Sequence, residues 1–414
     1  MERYSEYKDS GVQWLGEIPS HWELLKMKYA FKERSEKNHP NEEPLCATQS
    51  RGVIPQSLYE GRVVVVNKGF EGLKLVKVGD FVISLRSFQG GIEYAYYQGI
   101  ISAAYTVLQP KESDMAPYFK YMFKSHDYIQ LLQTCVTGIR EGQNINYPLL
   151  AKKAVPIPPM EEQHAIVSYL DTKCSKLDTF ISNKEKEITL LQEMKQRVIA
   201  DAVTRGLNPK VKFKPTNISW LPEIPEHWKM SKVSSHFRQR NEKVSDKKYS
   251  PLSVSKIGIT PQLDNVALSN AEGNSRKLVK VGDYAVNSRS DRKGSCGISN
   301  YEGSVSLITI VLEPFDIDGG YVHYLFRSSP WVEEFYRNGR GIVADLWTTN
   351  YQMMKGMYLP VPPIEEQHAI VSYITERVAK IDSLIEKLNK EIECIKEYKQ
   401  RLISDVVTGQ IKVS

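Results

Sequence analysis

Polar loops rich in arginine, lysine and amide side chains are the parts of this 414-residue chain best suited to chemistry. Two such loops lie in the first half, Arg86–Gly90 and 137–144, and two in the second, Arg289–Gly294 and Asn338–Gly341. Arginine, lysine, asparagine and glutamine can read the edges of bases, and any exposed cation, hydroxyl or amide can bind a phosphate. These residue types indicate contacts to a nucleic acid rather than the making and breaking of bonds.

Motifs of the common catalytic classes are missing from the sequence. It contains no G-x-x-x-x-G-K-[ST] loop, no G-x-G-x-x-G after a predicted strand and no C-x-x-C pair. The tetrapeptides Asn-Pro-Pro-aromatic and Asp-Pro-Pro-aromatic, with which adenine methyltransferases hold a flipped base, are also missing, as is an acid-acid-lysine nuclease cluster. We therefore expect no catalytic residue, no metal site and no cofactor in this chain.

An internal repeat dominates the sequence. The pattern W-L-x-E-I-P-x-H-W occurs at 14–22 and again at 220–228. K-L-V-K-V-G-D occurs at 74–80 and 277–283, and E-E-Q-H-A-I-V-S-Y at 161–169 and 365–373. The spacing between the copies varies only from 203 to 206 residues. The two copies are therefore predicted to share one fold, while the dissimilar loops between the repeated blocks suit the recognition of two different targets.

The repeat divides the loop residues into two kinds. Arg86 and Arg289 are equivalent, which favours phosphate contacts or support of the loop, whereas Gln89, Arg292 and Lys293 differ between the copies and are better candidates for reading bases. Lys68 and Arg276 could add phosphate contacts. The full set of candidate DNA-binding residues is Lys68, Arg86, Ser87, Gln89, Arg140, Gln143, Asn144, Arg276, Arg289, Arg292, Lys293 and Arg340. The alternative for each of them is an ordinary solvated surface position.

Two long helices must position these loops. Apolar residues recur with a period of 3.5 from Val167 to Val198 and from Val371 to Leu402, which is typical of a coiled-coil seam. Each helix is predicted to span about 45 residues, or roughly 65 Å. The two helices could pair within the chain as a spacer, or they could form a dimerisation arm.

The rest of each copy is predicted to be a mixed α/β domain. Arg62–Val66, Val76–Arg86 and Tyr94–Leu108 are rich in β-forming residues, and Met115–Gln133 has helical spacing. The four tryptophans of the repeated W…W motif, Trp14, Trp22, Trp220 and Trp228, are predicted to pack the domains against the helices. The predicted boundaries are 1–155 and 206–360 for the two domains, and 156–205 and 361–414 for the helices.

The distribution of charge along the chain favours a protein that binds an anionic partner. Net charge is +6, yet the helical segments 161–205 and 365–409 carry seven basic against eight acidic and seven against nine acidic residues, so the positive excess lies elsewhere. Five scattered cysteines predict reduced thiols. The longest uninterrupted run of apolar residues is too short for a membrane span, and the first residues have no apolar signal core, so we expect a cytoplasmic protein.

Taken in order and twice over, these motifs resemble the DNA-specificity subunits of type I restriction–modification enzymes. The carriers are W-L-x-E-I-P-x-H-W, the Val-Gly-Asp turn, and P-x-P-P-x-E-E-Q-H-A-I-V before each long helix. The resemblance implies an α+β fold in which two target-recognition domains alternate with two long helices that form an antiparallel coiled coil with an internal pseudo-two-fold repeat.

The resemblance also implies partners. Two modification subunits would supply adenine-N6 methylation from S-adenosylmethionine, and restriction/translocase subunits would use ATP and Mg²⁺, so these cofactors are expected on the partners. This chain would read a bipartite, asymmetric site in double-stranded DNA, with one half-site for each domain. Other hypotheses remain open at this point: the specificity partner of a fused endonuclease–methyltransferase, a coiled-coil adaptor indifferent to DNA, or a self-contained enzyme of unfamiliar design.

Overall fold

The computed structural model describes residues 2–61, 69–137, 144–262, 275–341 and 347–413. The chain divides into two compact units. Unit 1 comprises Met1–Lys184 and Asn389–Ser414, and unit 2 comprises Glu185–Leu388. Each unit combines one α/β domain with segments of two long helices.

Unit 1 is built mainly from short strands. Its described strands are β1 (Tyr7–Asp9), β2 (Glu17–Pro19), β3 (Glu23–Lys26), β4 (Phe31–Arg34), β5 (Leu45–Thr48), β6 (Gly52–Pro55), β7 (Lys74–Val76), β8 (Phe81–Ile83), β9 (Glu93–Tyr94), β10 (Gly99–Ile101), β11 (Thr106–Pro110), β12 (Val136–Thr137), β13 (Asn144–Ile145) and β14 (Ala154–Ile157). Its described short helices are α1 (Met27–Ala30), α2 (Ser87–Gly90), α3 (Ala116–Met122), α4 (His126–Thr134) and α5 (Tyr147–Leu150). The first long helix, α6 (Met160–Arg205), begins in unit 1.

Unit 2 repeats this order. Its described strands are β15 (Phe213–Ile218), β16 (Leu221–Pro225), β17 (Lys229–Lys232), β18 (Phe237–Gln239), β19 (Lys243–Val244), β20 (Leu252–Ser255), β21 (Gly258–Pro261), β22 (Arg276–Val279), β23 (Tyr284–Val286), β24 (Cys296–Ile298), β25 (Gly303–Ser306), β26 (Ile310–Pro314) and β27 (Tyr358–Val361). Its described helices are α7 (Gly319–Leu325), α8 (Ser329–Arg337), α9 (Tyr351–Met354) and the start of the second long helix, α10 (Ile364–Val407).

A four-stranded antiparallel sheet forms the centre of each domain. The strand order is β4-β11-β8-β9 in unit 1 and β18-β26-β23-β24 in unit 2. The register is equivalent, since Phe81 pairs with both Leu108 and Tyr94, and Tyr284 pairs with both Leu312 and Ile298. Fully buried aromatic side chains fill the core on one side of this sheet, where the short helices pack. The duplication predicted from the sequence is therefore a duplication of structure.

The repeated Val-Gly-Asp motif forms a turn that ends in a buried ion pair. Gly79 and Gly282 have φ angles of 90° and 88°, which L side chains rarely adopt. In unit 1 the Asp80 carboxylate accepts a hydrogen bond from the backbone N–H of Lys77, within the same turn, at 2.8 Å. It also accepts from Arg34 Nε at 2.7 Å. Asp283 receives the same two bonds in unit 2, at 2.8 Å and 2.6 Å. This motif therefore builds the scaffold.

The W-L-x-E-I-P-x-H-W and E-E-Q-H motifs meet at one joint in each unit. In unit 1 the Glu162 carboxylate, in the first turn of α6, accepts from Trp22 Nε1 at 2.9 Å and lies 2.5 Å from His21 Nε2. In unit 2 Glu366 accepts from Trp228 Nε1 at 3.0 Å and lies 2.8 Å from His227. Burial alone would raise the pKa of Glu162, but these bonds lower it below its usual value. Two motifs about 140 residues apart thus fix the domain to the start of its helix.

The long helices follow the predicted heptads. At 46 and 44 residues they are about 69 Å and 66 Å long at 1.5 Å per residue. Every predicted seam position is buried or half-buried. In unit 1 Asp178 pairs with Lys399 at 2.6 Å and Lys184 with Glu391 at 3.4 Å, and in unit 2 Lys195 pairs with Asp382 at 2.7 Å. Residue numbers rise along one helix as they fall along the other, so the helices pack antiparallel within each unit. The α+β class and the coiled coil are confirmed.

Some local predictions require correction. The helical stretch predicted over Met115–Gln133 is two helices, α3 and α4, because Ser125 binds the Met122 carbonyl at 2.7 Å and caps α4. The region Tyr94–Leu108, predicted to be rich in strand, contains parts of three short strands, β9, β10 and β11. Trp22 and Trp228 are fully buried, which confirms their packing role, and Trp14 and Trp220 are half-buried against the same cores. The strand predicted at Arg62–Val66 lies outside the described residues.

Candidate nucleic-acid interface

The first candidate loop folds into a single helical turn. β8 ends at Ile83, and α2 then presents Arg86, just before it, and Gln89 to solvent. Ser87 is 1% exposed, and its hydroxyl accepts from the backbone N–H of Ser84 at 2.9 Å, so it shapes the turn. The Arg86 and Gln89 side chains are therefore exposed to solvent, whereas the Ser87 side chain is turned inward.

Helix α2 packs against α4 and β13. This packing brings Asn144, exposed on β13, into the neighbourhood of Arg86 and Gln89. The other candidates of this domain, Lys68, Arg140 and Gln143, lie outside the described residues. The two loops predicted from separate parts of the first copy thus belong to one region of unit 1.

The second candidate loop is held differently. After β23, Asn287 and Ser288 are buried, and a 3₁₀ turn over Ser290–Arg292 carries exposed Arg292 and Lys293. This loop differs from its counterpart in length, in charge and in backbone form. Divergence at the tip above a repeated strand is the arrangement expected of a specificity loop.

Thr348 connects the two candidate loops of unit 2. The backbone N–H and carbonyl of Thr348 exchange hydrogen bonds of 3.0 Å with Arg340, and Thr348 also forms a bridge with Arg289. The neighbouring Trp347 carbonyl accepts from the N–H of Ser290 at 3.0 Å. The two loops therefore share one face of unit 2, although they are far apart in the sequence. The candidate residues that this face brings together are Arg289, Arg292, Lys293 and Arg340.

Neighbouring carboxylates restrain two of these cations. Arg289 Nε lies 3.0 Å from Asp291, and Lys293 Nζ lies 2.9 Å from Glu333 on α8. Lys293 also borders a cleft of about 670 Å³ beside the half-buried Trp220. Both ion pairs are solvent-exposed, and such pairs contribute little, so a phosphate or base could compete for either cation.

Arg276 is used inside the domain. It lies on β22, and its guanidinium donates to the hydroxyl and carbonyl of Ser304 at 2.9 Å each and to the Leu252 carbonyl at 3.4 Å. Burial lowers its pKa below the usual arginine value. These contacts favour a role in joining strands β20, β22 and β25, and its phosphate contact stays a prediction.

The hairpin tips β5–β6 and β20–β21 were missed from the sequence. Gln49–Arg51 and Lys256–Ile257 are exposed at equivalent places and differ between the copies. Thr348 was missed as well, although its backbone joins the two candidate loops of unit 2. The contrast between copies at Gln49–Arg51 was a usable signal, whereas nothing local marks the pairing role of Thr348.

Among the described residues, no group of histidine, cysteine, aspartate or glutamate side chains could hold a metal ion. The part of the chain that the structure describes also holds no helix long and apolar enough to cross a membrane. All five cysteines are free thiols, and only Cys394 is exposed.

Comparison with known proteins agrees with this architecture. Residues 22–190 match the family model described as the type I restriction modification DNA specificity domain. The MjaX specificity subunit of a type I restriction enzyme from Methanocaldococcus jannaschii is 24% identical over 438 aligned positions, covering 96% of both chains. The MjaVIII specificity subunit from the same organism is 24% identical, covering 82% of this chain and 80% of the relative.

A solved structure shows the same fold. A chain from a study of complex assembly and conformational transition of the type I R-M system superimposes with a TM-score of 0.68 at 13% identity. The match covers 95% of this chain and 99% of that chain. The chain is therefore similar to type I restriction enzyme specificity subunits over nearly its whole length, and residues 22–190 match their DNA specificity domain.

Proposed function

We propose that the two domains each read one half of a bipartite, asymmetric DNA target and direct adenine methylation and cleavage by partner subunits. The observation that supports this proposal is that residues repeated in both copies and residues that differ between them have different roles. Repeated residues such as Asp80 and Glu162 build the scaffold, whereas the exposed polar residues at equivalent tips differ, as Gln89 and Arg292 do. One scaffold presenting two different polar surfaces suits two different half-sites.

The test is reconstitution. The purified chain, a modification subunit and S-adenosylmethionine should together methylate adenines in one bipartite sequence, as read by sequencing of the methylated DNA. The chain alone should neither methylate nor cut DNA, because the proposal assigns S-adenosylmethionine, ATP and Mg²⁺ to the partners. Methyl transfer or cleavage by the purified chain alone would contradict the proposal.

We also infer that two modification subunits dock on the long helices, at one apolar patch in each unit. In unit 2, Leu190, Met194 and Leu384 are 64%, 52% and 48% exposed. Their equivalents in unit 1, 204 residues away in the repeat, are Cys394, Tyr398 and Phe180, which are also exposed. Equivalent apolar patches within one chain suit two copies of one partner.

Native mass spectrometry of the reconstituted complex tests this docking. Leu190→Asp with Leu384→Asp should reduce the complex from two modification subunits to one, because a carboxylate at the centre of an apolar contact is costly to bury. Thr189→Asp, also exposed on α6 and next to Leu190, is the control. Two subunits on the double variant would show that the partners dock elsewhere.

A further inference from the structure

Unit 1 contains a cleft of about 740 Å³ that the repeat does not explain. It lies between the β5–β6 turn, β9, the end of α3 and the two long helices. This volume is within the range of small-molecule sites. The side chains that line the cleft include Arg51, Glu93, Tyr94, Tyr96, Lys120, Lys124, Asp178, Lys396 and Lys399.

Glu93 supplies a buried acceptor at this cleft. The residue is 2% exposed, and its Oε1 accepts from Lys124 Nζ at 2.7 Å. Lys124 Nζ also donates to the carbonyls of Gly90 at 2.8 Å and Gln49 at 3.2 Å, so its three N–H groups are all in use. Among the described residues, Glu93 Oε2 is buried without a hydrogen-bond partner. A buried carboxylate oxygen in this state calls for an N–H or O–H donor.

The remaining walls favour an anion with a flat ring. Five basic side chains line the cleft against two carboxylates, and Asp171 pairs with one of these cations, Lys120, at 3.1 Å, which leaves an excess of two positive charges. Tyr96 is 47% exposed, and its ring packs edge-on against Tyr94 with the centroids 4.9 Å apart. A Cβ at Gly52 would lie 2.9 Å from the Tyr96 ring, so the glycine permits this close approach. Exposed aromatic rings beside cations are suited to stacking a base.

Unit 2 has no carboxylate at the position that corresponds to Glu93. Phe81 pairs with Tyr94 as Tyr284 pairs with Ile298, so the position of Glu93 is taken by Gly297. Asn300 stands in the place of Tyr96. The helix ion pair is retained, since Lys195 and Asp382 correspond to Lys399 and Asp178. The cleft chemistry is therefore specific to unit 1 and is separate from the scaffold.

We propose that this cleft binds one nucleotide whose base carries an exocyclic amine, as adenine, cytosine and guanine do. The amine donates to Glu93 Oε2, the base lies against Tyr96, and the phosphate is attracted by Arg51 and Lys399. A partner's lysine or arginine fits less well because the lining is already cationic. The nucleotide could be free or could belong to a DNA strand, and the two sources share this chemistry.

Equilibrium dialysis of the full chain at about pH 8.5, where Glu93 with its pKa of about 7 is ionised, tests the base preference. In one arm the probes are free adenosine, cytidine and uridine monophosphates, and in the other they are the single-stranded tetranucleotides d(AAAA), d(CCCC) and d(TTTT). The amine-bearing probes should bind about tenfold more tightly, the ratio that 1.4 kcal/mol of hydrogen-bond preference corresponds to. Preference in the free-nucleotide arm assigns an effector site, and preference only in the tetranucleotide arm assigns contact with a strand.

Glu93→Gln separates loss of the proposed hydrogen bond from misfolding, because the variant should invert the base preference, whereas a misfolded chain would only lose binding. Lys124 holds the amide oxygen in the place of Oε1, so the amide N–H₂ takes the place of Oε2 and a donor replaces an acceptor. The preference should therefore invert towards uracil or thymine, whose carbonyl accepts. Lys399→Ala should weaken all probes alike, whereas its counterpart Lys195→Ala in unit 2 should change nothing. No base preference in either arm, or an unchanged preference in Glu93→Gln, would overturn the proposal. Methylation of a bipartite target tests the proposed function separately.

Discussion

The pKa values of two glutamates, Glu93 and Glu162, are shifted in opposite directions by their surroundings. Burial raises the pKa of Glu93 to about 7 despite its bond to Lys124, whereas at Glu162 the effect of burial is outweighed by several donors that lower the pKa. Donors favour the charged form of a carboxyl group, and burial favours the neutral form. Glu162 is therefore stabilised in its charged form by the donors around it, whereas burial destabilises the charged form of Glu93.

Glu93 makes the stability of unit 1 depend on pH. Its pKa of about 7 exceeds the usual value of 4.5, so between these values the folded state holds a proton that the unfolded state has lost. Stability due to this group therefore falls as pH rises through that window, by up to about 3 kcal/mol at 1.36 kcal/mol per pKa unit. Glu93→Gln should remove this loss, so that the variant gains on the native chain between about pH 5 and about pH 8.

Urea unfolding at several pH values measures this difference. Glu33→Gln, which changes an exposed carboxyl group on β4 that pairs with Lys74, is the control and should follow the native chain. Parallel stability curves for Glu93→Gln and the native chain would show that Glu93 is ionised in the folded state across the whole range.

Arg292 is the residue on which base reading can be tested most directly. Arg292→Ala should relax one position of the second half-site and cost about 1–3 kcal/mol there, because a lost bidentate contact affects only its own base pair. The first half-site should be unchanged. Sequencing of methylated DNA gives both half-sites at once, with exposed Lys247→Ala as the control. Equal loss at all sequences would make Arg292 a phosphate contact.

The sequence was informative about types of residue and less so about their surroundings. Comparison of the copies paired Arg86 with Arg289, and in the structure these residues follow β8 and β23 respectively. It could not show that Ser87 turns inward or that Arg276 is bound to Ser304, because both depend on hydrogen bonds to distant or backbone partners. The bridge through Thr348 is likewise a long-range pairing with no local pattern.

At the scale of elements, the buried ion pair beneath the Val-Gly-Asp turn is the most exacting test of the scaffold. Arg34 and Asp80 are 7% and 2% exposed. Asp80→Ala should destabilise unit 1 by about 3–5 kcal/mol, since it leaves a buried guanidinium without its main partner. Urea unfolding measures this loss.

The exposed pair Glu376–Lys380 is the matched control for Asp80. Glu376→Ala should have little effect on stability because water screens this pair. A similar cost for both substitutions would mean that the Arg34 charge is rehydrated when Asp80 is removed.

The elements themselves were predictable where a pattern was long. Four heptads gave the long helices, and the repeated K-L-V-K-V-G-D gave a strand, a turn and a strand in both units. The break between α3 and α4 was not predicted, because apolar spacing continues across Ser125 and only its capping bonds reveal the end of the helix. Short strands such as β9 depend on neighbours in the sheet and carry no pattern of their own.

At the scale of the molecule, the length of the helices can be tested as the determinant of the gap between half-sites. Four residues inserted at both unit boundaries, after Lys184 and after Leu388, add about 6 Å of helix and slightly more than a whole turn. Contacts within each unit keep their register. We expect one to two additional base pairs in the gap, at about 3.4 Å per base pair, and unchanged half-site bases.

Sequencing of methylated DNA from cells carrying this insertion gives the result. Two inserted residues at the same places are the control, because they rotate the seam by about 200° and should disrupt packing. An unchanged gap with full activity would show that helix length does not set it, and changed half-site bases would show that the recognition residues lie elsewhere.

The joint at the end of each long helix has a consequence for how the polypeptide can be divided. In unit 2, Gly206 at the end of α6 lies against Trp228 of the segment that follows it in the chain. In unit 1, Gly409 at the end of α10 lies against Trp22 in the same way, and its carbonyl accepts from Tyr7 at 2.9 Å, with no direct peptide link between these segments. The joint in unit 1 therefore forms without the direct peptide connection that the equivalent joint in unit 2 has. A chain cleaved at the exposed stretch Asn208–Lys210 should hold together by contacts alone, and separately made halves should assemble into an active whole.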